Sequence, residues 1–227
     1  MLCHTGTHIY AVPMSEQVPP IPESEPRTLW SEISGGIAAA TAYQRRFDEL
    51  AAKVDIHGEA AFVESLVSPP ARVLDAGCGT GRVATQLTSL GYHCVGVDLD
   101  PDMLAVAQDR DAATVWVLQD LSRLHLRTQA FDVAVLAGNV VPLLAPGTLV
   151  HTMERVAAHV QPGGLVVAGF GLDAAHLPPG VPVTAVDTYD RACDVAGLSF
   201  LRRYRSWAKE TWRPDAGYAV SIHRLND

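Results

Sequence analysis

The sequence predicts an α/β protein with a mainly parallel sheet covered by helices on both faces, and three observations carry that prediction. Apolar runs of strand length alternate with amphipathic helical segments along the chain, the pattern of successive βαβ units. A strand, a glycine-rich corner and a helix follow one another without interruption over residues 71–90. Two closing runs, near residues 200–209 and 218–225, have no helix between them and read as an antiparallel hairpin at one edge of the sheet. With 48% hydrophobic content, 227 residues bury one good core. A single domain over residues 29–227 is therefore expected, with 29–68 as a helical cover and 69–227 as the core. Residues 1–28 hold Pro13, Pro19, Pro20, Pro22 and Pro26 among polar residues and are expected to form a flexible leader. Met14-Ser15-Glu16 reads as an alternative translation start within it.

The elements follow in order. From Trp30 onward the chain is periodic, with Tyr43, Phe47, Leu50 and Ala51 on one helical face and Gln44, Arg45, Asp48 and Glu49 largely on the other. A second helix around residues 58–66 leads through Pro69-Pro70 to Ala71-Arg72-Val73-Leu74, an apolar run that ends in Asp75 as a buried parallel strand should. Gly77, Gly79 and Gly81 then let the backbone come close to a ligand, because no Cβ intervenes and positive φ costs little. Val83, Leu87 and Leu90 define the helix that leaves this corner, and Gly91 closes it. Cys94-Val95-Gly96-Val97 is the next strand and ends in Asp98, seventeen residues beyond Gly81. An acidic residue at about that distance is placed to accept hydrogen bonds from both hydroxyls of a ribose. Downstream, a helix over residues 148–159, a strand over 165–170 and a helix over 186–196 precede the hairpin.

Several function classes are disfavoured. The dinucleotide fingerprint G-x-G-x-x-G needs glycine at position 82, where Arg82 stands, and a phosphate-binding P-loop needs a lysine that is missing between Val54 and Trp207. Lys and Arg number 17 against 25 Asp and Glu, a net charge of −8 that opposes nucleic-acid binding. Arg202-Arg203-Tyr204-Arg205 is the one basic cluster, and strand alternation turns its members to opposite faces as a solvated edge. Cys3, Cys78, Cys94 and Cys193 show no C-x-x-C spacing, so neither a zinc site nor a disulfide scaffold is signalled. With no run of 18 apolar residues and no signal-peptide pattern, a cytoplasmic protein without membrane partners is expected.

Val73-Leu74-Asp75-Ala76-Gly77-Cys78-Gly79-Thr80-Gly81 resembles the first motif of the class I S-adenosylmethionine-dependent methyltransferases. Gly96-Val97-Asp98-Leu99-Asp100-Pro101-Asp102-Met103-Leu104 is similar to the second motif and Gln119-Asp120-Leu121 to the third. Residues 131–137 and 160–167 are similar to the fourth strand and the turn into the fifth. The resemblance implies a Rossmann-like seven-stranded sheet of order 3-2-1-4-5-7-6, with S-adenosyl-L-methionine bound at the carboxyl ends of strands 1, 2 and 4 and S-adenosyl-L-homocysteine as its product. Asp75, Ala76, Gly77, Cys78, Gly79 and Gly81 would form the cradle and Asp98 would hold the ribose. Leu99, Met103, Asp120 and Leu121 would surround the adenine, with Ala137 and Gly138 closing the site at the fourth strand. Tyr43 and Arg46, on the N-terminal helix, become candidate contacts to the cofactor carboxylate. Each assignment has a plainer competitor: Asp120 as a cap, Met103 as core, Cys78 as packing, Arg46 as a surface arginine.

Methyl transfer is an in-line displacement, for which the protein mainly aligns the partners and excludes water. A base is needed only where the attacking atom must lose a proton. Loops after the fourth and fifth strands nominate Asn139, Asp173 and His176 as catalytic candidates, with a turn residue and an exposed histidine as the plainer readings; Glu210 and Trp212 are candidates for the opposite wall of the acceptor pocket. Gly138-Asn139-Val140-Val141 lacks both the Pro-Pro-Tyr signature of nucleobase and glutamine methylation and the Asp-Asn pair of metal-assisted catechol types. The resemblance therefore implies a metal-independent enzyme, monomeric or homodimeric, acting on a small-molecule acceptor. A protein that binds the cofactor without turnover and a Rossmann oxidoreductase using NAD stand as alternatives.

Overall fold

Strand β1 (Arg72–Ala76) takes the middle of the sheet because Val73, Leu74 and Ala76 have no exposed surface, and a strand buried on both faces needs apolar side chains in an unbroken run. Around it the computed structural model, which describes residues 27–127 and 130–227, arranges β2 (His93–Asp98), β3 (Val115–Leu118), β4 (Phe131–Leu136), β5 (Val160–Gly171), β6 (Leu198–Tyr204) and β7 (Tyr218–Leu225). The order is β3-β2-β1-β4-β5-β7-β6, as expected. β1 pairs in parallel with β2 and β4, β2 with β3 and β4 with β5, whereas β7 runs antiparallel to β5 and β6. The leader and the alternative start at Met14 lie outside the described residues, except that Arg27 and Thr28 are described and Thr28 is buried.

The helices are α1 (Leu29–Ile33), α2 (Gly36–Ala51), α3 (Gly58–Glu64), α4 (Arg82–Ser89), α5 (Pro101–Arg110), α6 (Val140–Leu143), α7 (Leu149–Ala157) and α8 (Val186–Val195). Side-chain alternation sorts them onto the two faces. Leu74, Leu136 and Phe170 pack with Met153 of α7 and Tyr189 of α8. Val73 and Val135 turn the other way, against Val63 of α3 and Leu87 of α4. Asp100 starts α5 by accepting from the backbone N–H groups of Asp102 (2.9 Å) and Met103 (3.3 Å), ahead of a proline suited to the first turn. His159, just past α7, is fully buried and satisfied: it accepts from Leu126 N at 2.9 Å through Nε2, and its Nδ1 meets the Arg155 carbonyl at 2.7 Å.

Four expectations change. On α2 the buried residues are Ala40 and Gln44, while Tyr43 and Leu50 stay exposed; the helix lies on α5, where Asp48 pairs with Arg110 at 3.2 Å, and not on the sheet. Strand β5 begins at Val160, because Val160 pairs with Phe131 before a bulge restores the register at Val133–Leu165. β6 ends at Tyr204, short of residue 209, and Trp207 turns in to pack edge-on against Phe62 at 5.3 Å. Arg203 is not solvated: its guanidinium binds Asp190 at 2.5 Å and Ser221 Oγ at 2.8 Å beneath α8.

Trp116 of β3 explains two glycines. Its indole lies over β2, where a Cβ on Gly96 would stand 2.4 Å from the ring, and it reaches Gly81, where the distance would be 2.3 Å. Gly81 (φ 78) thus makes room for the indole and opens α4 from its left-handed N-cap position. Gly96→Ala is expected to cost about 1–3 kcal/mol in urea unfolding through overpacking, with most of that cost removed in a Trp116→Leu background. An equal cost in both backgrounds would show that the indole is not what Gly96 accommodates.

Candidate functional site

The sheet order reverses at β1, so the chain leaves β1 toward β2 on one side and β4 runs up the other; loops diverging from such a point leave a crevice at the carboxyl ends of the strands. A cleft open to solvent occupies that crevice, with about 900 Å³ of free space once the open solvent within it is included. It is lined from β1 and its corner by Asp75, Gly77, Cys78 and Gly79, from the end of β2 by Asp98 and Leu99, and from α5 by Met103. Asp120, Leu121, Ala137 and Gly138 complete its core side, and Tyr43 reaches it from α2.

The glycines of the corner have separate tasks. A Cβ on Gly77 (φ 81) would stand 2.5 Å from Val140 Cγ2, so this glycine lets α6 close on the corner. Above Gly79 (φ 53) there is nothing within 4 Å, and its amide points to Asp98. The Asp98 carboxylate accepts from Gly79 N at 2.7 Å through one oxygen and from Asp100 N at 2.9 Å through the other. A carboxylate offers about four acceptor sites, so capacity remains on the cavity side, while burial pushes the group above its ordinary pKa. Asp120 accepts from Ser122 N at 2.8 Å, capping the 3-10 turn Leu121–Arg123, and it lines the cavity as well.

Asp75 is fully enclosed at the first turn of α4 and accepts from Ala84 N at 3.0 Å. Burial raises its pKa to about 7, against the lowering effect of the Ala84 bond and of Arg82. Arg82, read in the sequence only as an absent glycine, is part of the cavity wall. Its guanidinium forms a two-pronged pair with Glu59 of α3, at 2.8 and 2.5 Å, binds the Ile56 carbonyl, and lies 5.0 Å over the Phe47 ring. Trp30 of α1 is a second wall residue that the sequence did not mark; it donates its indole N–H to Asp100 Oδ2 at 2.8 Å. Thr28, Thr80, Val83, Val140, Leu143 and Leu144 also line the cavity, the last three from an apolar run that carried no motif.

Of the expected cofactor contacts, Arg46, Ala76 and Gly81 do not line the cavity: Arg46 is exposed, Ala76 is in the core and Gly81 packs under Trp116. Asn139, Asp173 and His176 are not part of the lining; Asn139 stands between Gly138 and Val140, which are. The Asn139 amide is spent on stitching two loops together, accepting from Gly171 N at 2.7 Å and donating to the His176 carbonyl at 2.9 Å. His176 Nδ1 stands 2.7 Å from Asp173 Oδ1 with both side chains about half exposed, 48% and 49%. That bond holds the Asp173 carboxyl below its ordinary value. Glu210 pairs with Arg205 at 2.7 Å, and the Arg203 guanidinium lies 5.3 Å over the Trp212 ring. No helix among the described residues is long and apolar enough to cross a membrane.

Residues 73–164 match the family model described as a methyltransferase domain. Over 117 residues the chain is 35% identical to a dTDP-3-amino-3,6-dideoxy-alpha-D-glucopyranose N,N-dimethyltransferase of Streptomyces fradiae, covering 50% of this chain and 46% of that protein. It is 34% identical over 96 residues to a malonyl-[acyl-carrier protein] O-methyltransferase of Salmonella typhimurium, covering 42% and 37%. The chain spans about half the length of the curated relatives it matches. Among solved structures, a TehB-like SAM-dependent methyltransferase from Corynebacterium glutamicum superposes with a TM-score of 0.75 at 28% identity, covering 84% of this chain and 99% of that one.

The Asp75 carboxyl generates a signed expectation. Its folded pKa of about 7 lies above its ordinary value of 3.8, so its contribution to stability is fully present below the unfolded value and is lost as pH rises through 7. Asp75→Asn, which keeps an acceptor for Ala84 N–H, is expected to gain stability relative to the parent between pH 5 and pH 8, on the order of 2 kcal/mol. Chemical denaturation of both ligand-free proteins at the two pH values measures it, and a pH-independent difference would rule out the buried charge as the cause.

Proposed function

We propose that the chain is a class I S-adenosylmethionine-dependent methyltransferase, which transfers the methyl group of S-adenosylmethionine to a small-molecule acceptor by in-line displacement; the methyltransferase-domain match over residues 73–164 supports this reading. The observation that carries this reading is the Asp98 carboxylate, fixed by two backbone amides at the sheet's switch point with acceptor capacity left toward the cavity. The residues present fit the cofactor on the structure's own terms: open space above Gly79, and acidic side chains at Asp75, Asp98 and Asp120 among those that line the cavity. When bound there, S-adenosylmethionine supplies an electrophilic methyl carried on a positive sulfonium.

The chain's own residues do the rest. Asp98 binds the ribose hydroxyls; Asp120 and Leu121 meet the adenine, with Leu99 and Met103 packed against it. Gly79 carries no Cβ into the open space above it, so the ligand can lie close to the corner, and Ala137 and Gly138 border the path to the acceptor. The Asp75 carboxylate faces the cationic end. In place of Arg46, which is outside the cavity, Arg82 and Tyr43 form the polar wall near the methionine end. Val140, Leu143, Leu144 and Trp30 shut water out of the crevice, which favours displacement by keeping competing nucleophiles away.

An acceptor nitrogen or oxygen that enters protonated must lose its proton, and His176 is the proposed base. Asp173 at Nδ1 leaves Nε2 as the accepting nitrogen, and Asn139 acts as a positioning residue through the His176 carbonyl. The amino-sugar and acyl-carrier relatives support an acceptor of metabolite type. The negative net charge of −8 supports one other than nucleic acid.

Isothermal titration is expected to give micromolar binding of S-adenosylmethionine and S-adenosylhomocysteine and no heat with NAD or NADP; the reverse pattern would overturn the reading. Asp98→Ala should weaken binding of both by about 2–4 kcal/mol through loss of charged hydrogen bonds. With an acceptor found by radiolabelled methyl transfer, His176→Ala should lower turnover by about 10²–10⁴-fold while leaving S-adenosylhomocysteine affinity in place. Undiminished turnover would exclude His176 as the base.

A further inference from the structure

Helix α1 is five residues long and has no buried residue of its own, too short to be stable in isolation. It is held by few devices. Thr28 caps it, accepting from Ser31 N at 3.2 Å, and the Trp30 indole N–H reaches Asp100 Oδ2 at 2.8 Å, seventy residues along the chain. Both Thr28 and Trp30 line the cavity.

Asp100 is shared. Its Oδ1 caps α5, its Oδ2 takes the indole proton, and its backbone N–H is the 2.9 Å donor to Asp98 Oδ1. The other Asp98 oxygen is held by Gly79 N at 2.7 Å. Trp30, Asp100 and Asp98 therefore form a continuous relay of hydrogen bonds from the N-terminal helix to the carboxylate on the cavity floor. With the Asp100 side chain fixed at both oxygens, its backbone amide has one direction, and so does the Asp98 carboxylate that receives it. With Oδ2 released, the cap at Oδ1 alone would leave the end of β2 freer to turn.

We propose that Trp30 is a positioning residue of the cofactor site, holding Asp98 through Asp100 in the orientation that receives a ribose diol, so that docking of α1 and binding of the nucleoside stabilise each other. This rests on the methyltransferase reading above for the identity of the nucleoside. Reciprocity is a thermodynamic necessity: whatever factor the docked helix adds to ligand affinity, the ligand adds to helix docking.

Trp30→Phe keeps an aromatic wall, though a smaller one, and removes the N–H; the Asp98→Ala background separates the two losses. With S-adenosylhomocysteine as the probe, the expected result is affinity about tenfold below the parent, the ratio that 1.4 kcal/mol produces. Hydrogen exchange should show the ligand slowing amides of residues 29–33 in the parent and doing so less in the variant. In an Asp98→Ala background, Trp30→Phe should cost nothing further, because the relay then ends on no carboxylate. A merely structural lid would keep its cost there. Equal affinity of parent and Trp30→Phe, or the same loss with and without Asp98, would overturn the proposal. Should Trp30→Phe fail to fold, Asp100→Asn, which retains an N-cap side chain, reads the same bond with the same expected loss. A parent protein that binds no S-adenosylhomocysteine would remove the cofactor reading itself, an outcome distinct from a parent that binds and a variant that matches it.

Discussion

The carboxylate of Asp98 joins two corners of the fold that the sheet alone would leave apart. Its oxygens receive an amide from the glycine corner after β1 and an amide from the turn after β2, so the two loops that bound the crevice are fixed to one group. Buried charge of this kind is costly unless every lone pair in use is matched by a donor, and the raised pKa of Asp98 records that cost. Without it the glycine corner would still be tied to the end of β2 by the Gly77 and Cys78 amides, which donate to the Val97 carbonyl at 2.8 and 3.0 Å, but the amides of Gly79 and Asp100 would lose the acceptor they share. The cavity floor therefore depends on one hydrogen-bonded anion placed where the parallel sheet reverses.

The second constraint is Arg82. A cation in the first turn of α4 faces the positive end of that helix, an unfavourable position, and only 15% of its side chain is exposed. Glu59 answers both problems: it sits in the first turn of α3, where a carboxylate is favoured, and it meets the guanidinium with two bonds. Phe47 covers the other face. The helical cover is thus attached to the core at a pair whose breakage would leave a mostly buried charge alone, which is far costlier than the pair's net contribution.

Much of this was legible in the sequence, and the unread remainder has physical causes. The alternation of strands and helices, the glycine corner, Asp75 and Asp98 follow from patterns that are local, because each closes on itself within a few residues, whereas the strand order and Asp120 came only through the resemblance to the methyltransferase motifs. The α2 face was misread because Tyr43 and Phe47 are apolar for the sake of the cavity and Arg82, while the helix packs on α5 through Ala40 and Gln44. Arg203 looked like a solvated edge residue because its partners, Asp190 and Ser221, come from α8 and β7. Gly81 looked like a cradle residue, and only the position of Trp116 shows what it makes room for. Trp30 and Arg82 carried no motif, since their meaning lies in Asp100 and Glu59, each more than twenty residues away.

The acidic floor imposes a trade between stability and binding. Asp75 and Asp98 both sit at raised pKa, with burial as the first cause, so ionising either carboxyl in the site costs more than it would in water. A positively charged ligand relieves that cost as it binds, and anything that binds the folded state alone stabilises it by mass action. Replacing the Asp75 carboxyl with a neutral amide is thus a route to a more stable and less competent protein, the usual direction of exchange at functional sites. The same reasoning applies to Arg82, the one cation among the described residues of the wall, which is already paired: a free Arg82 would satisfy the floor from within and remove the advantage that a cationic ligand brings.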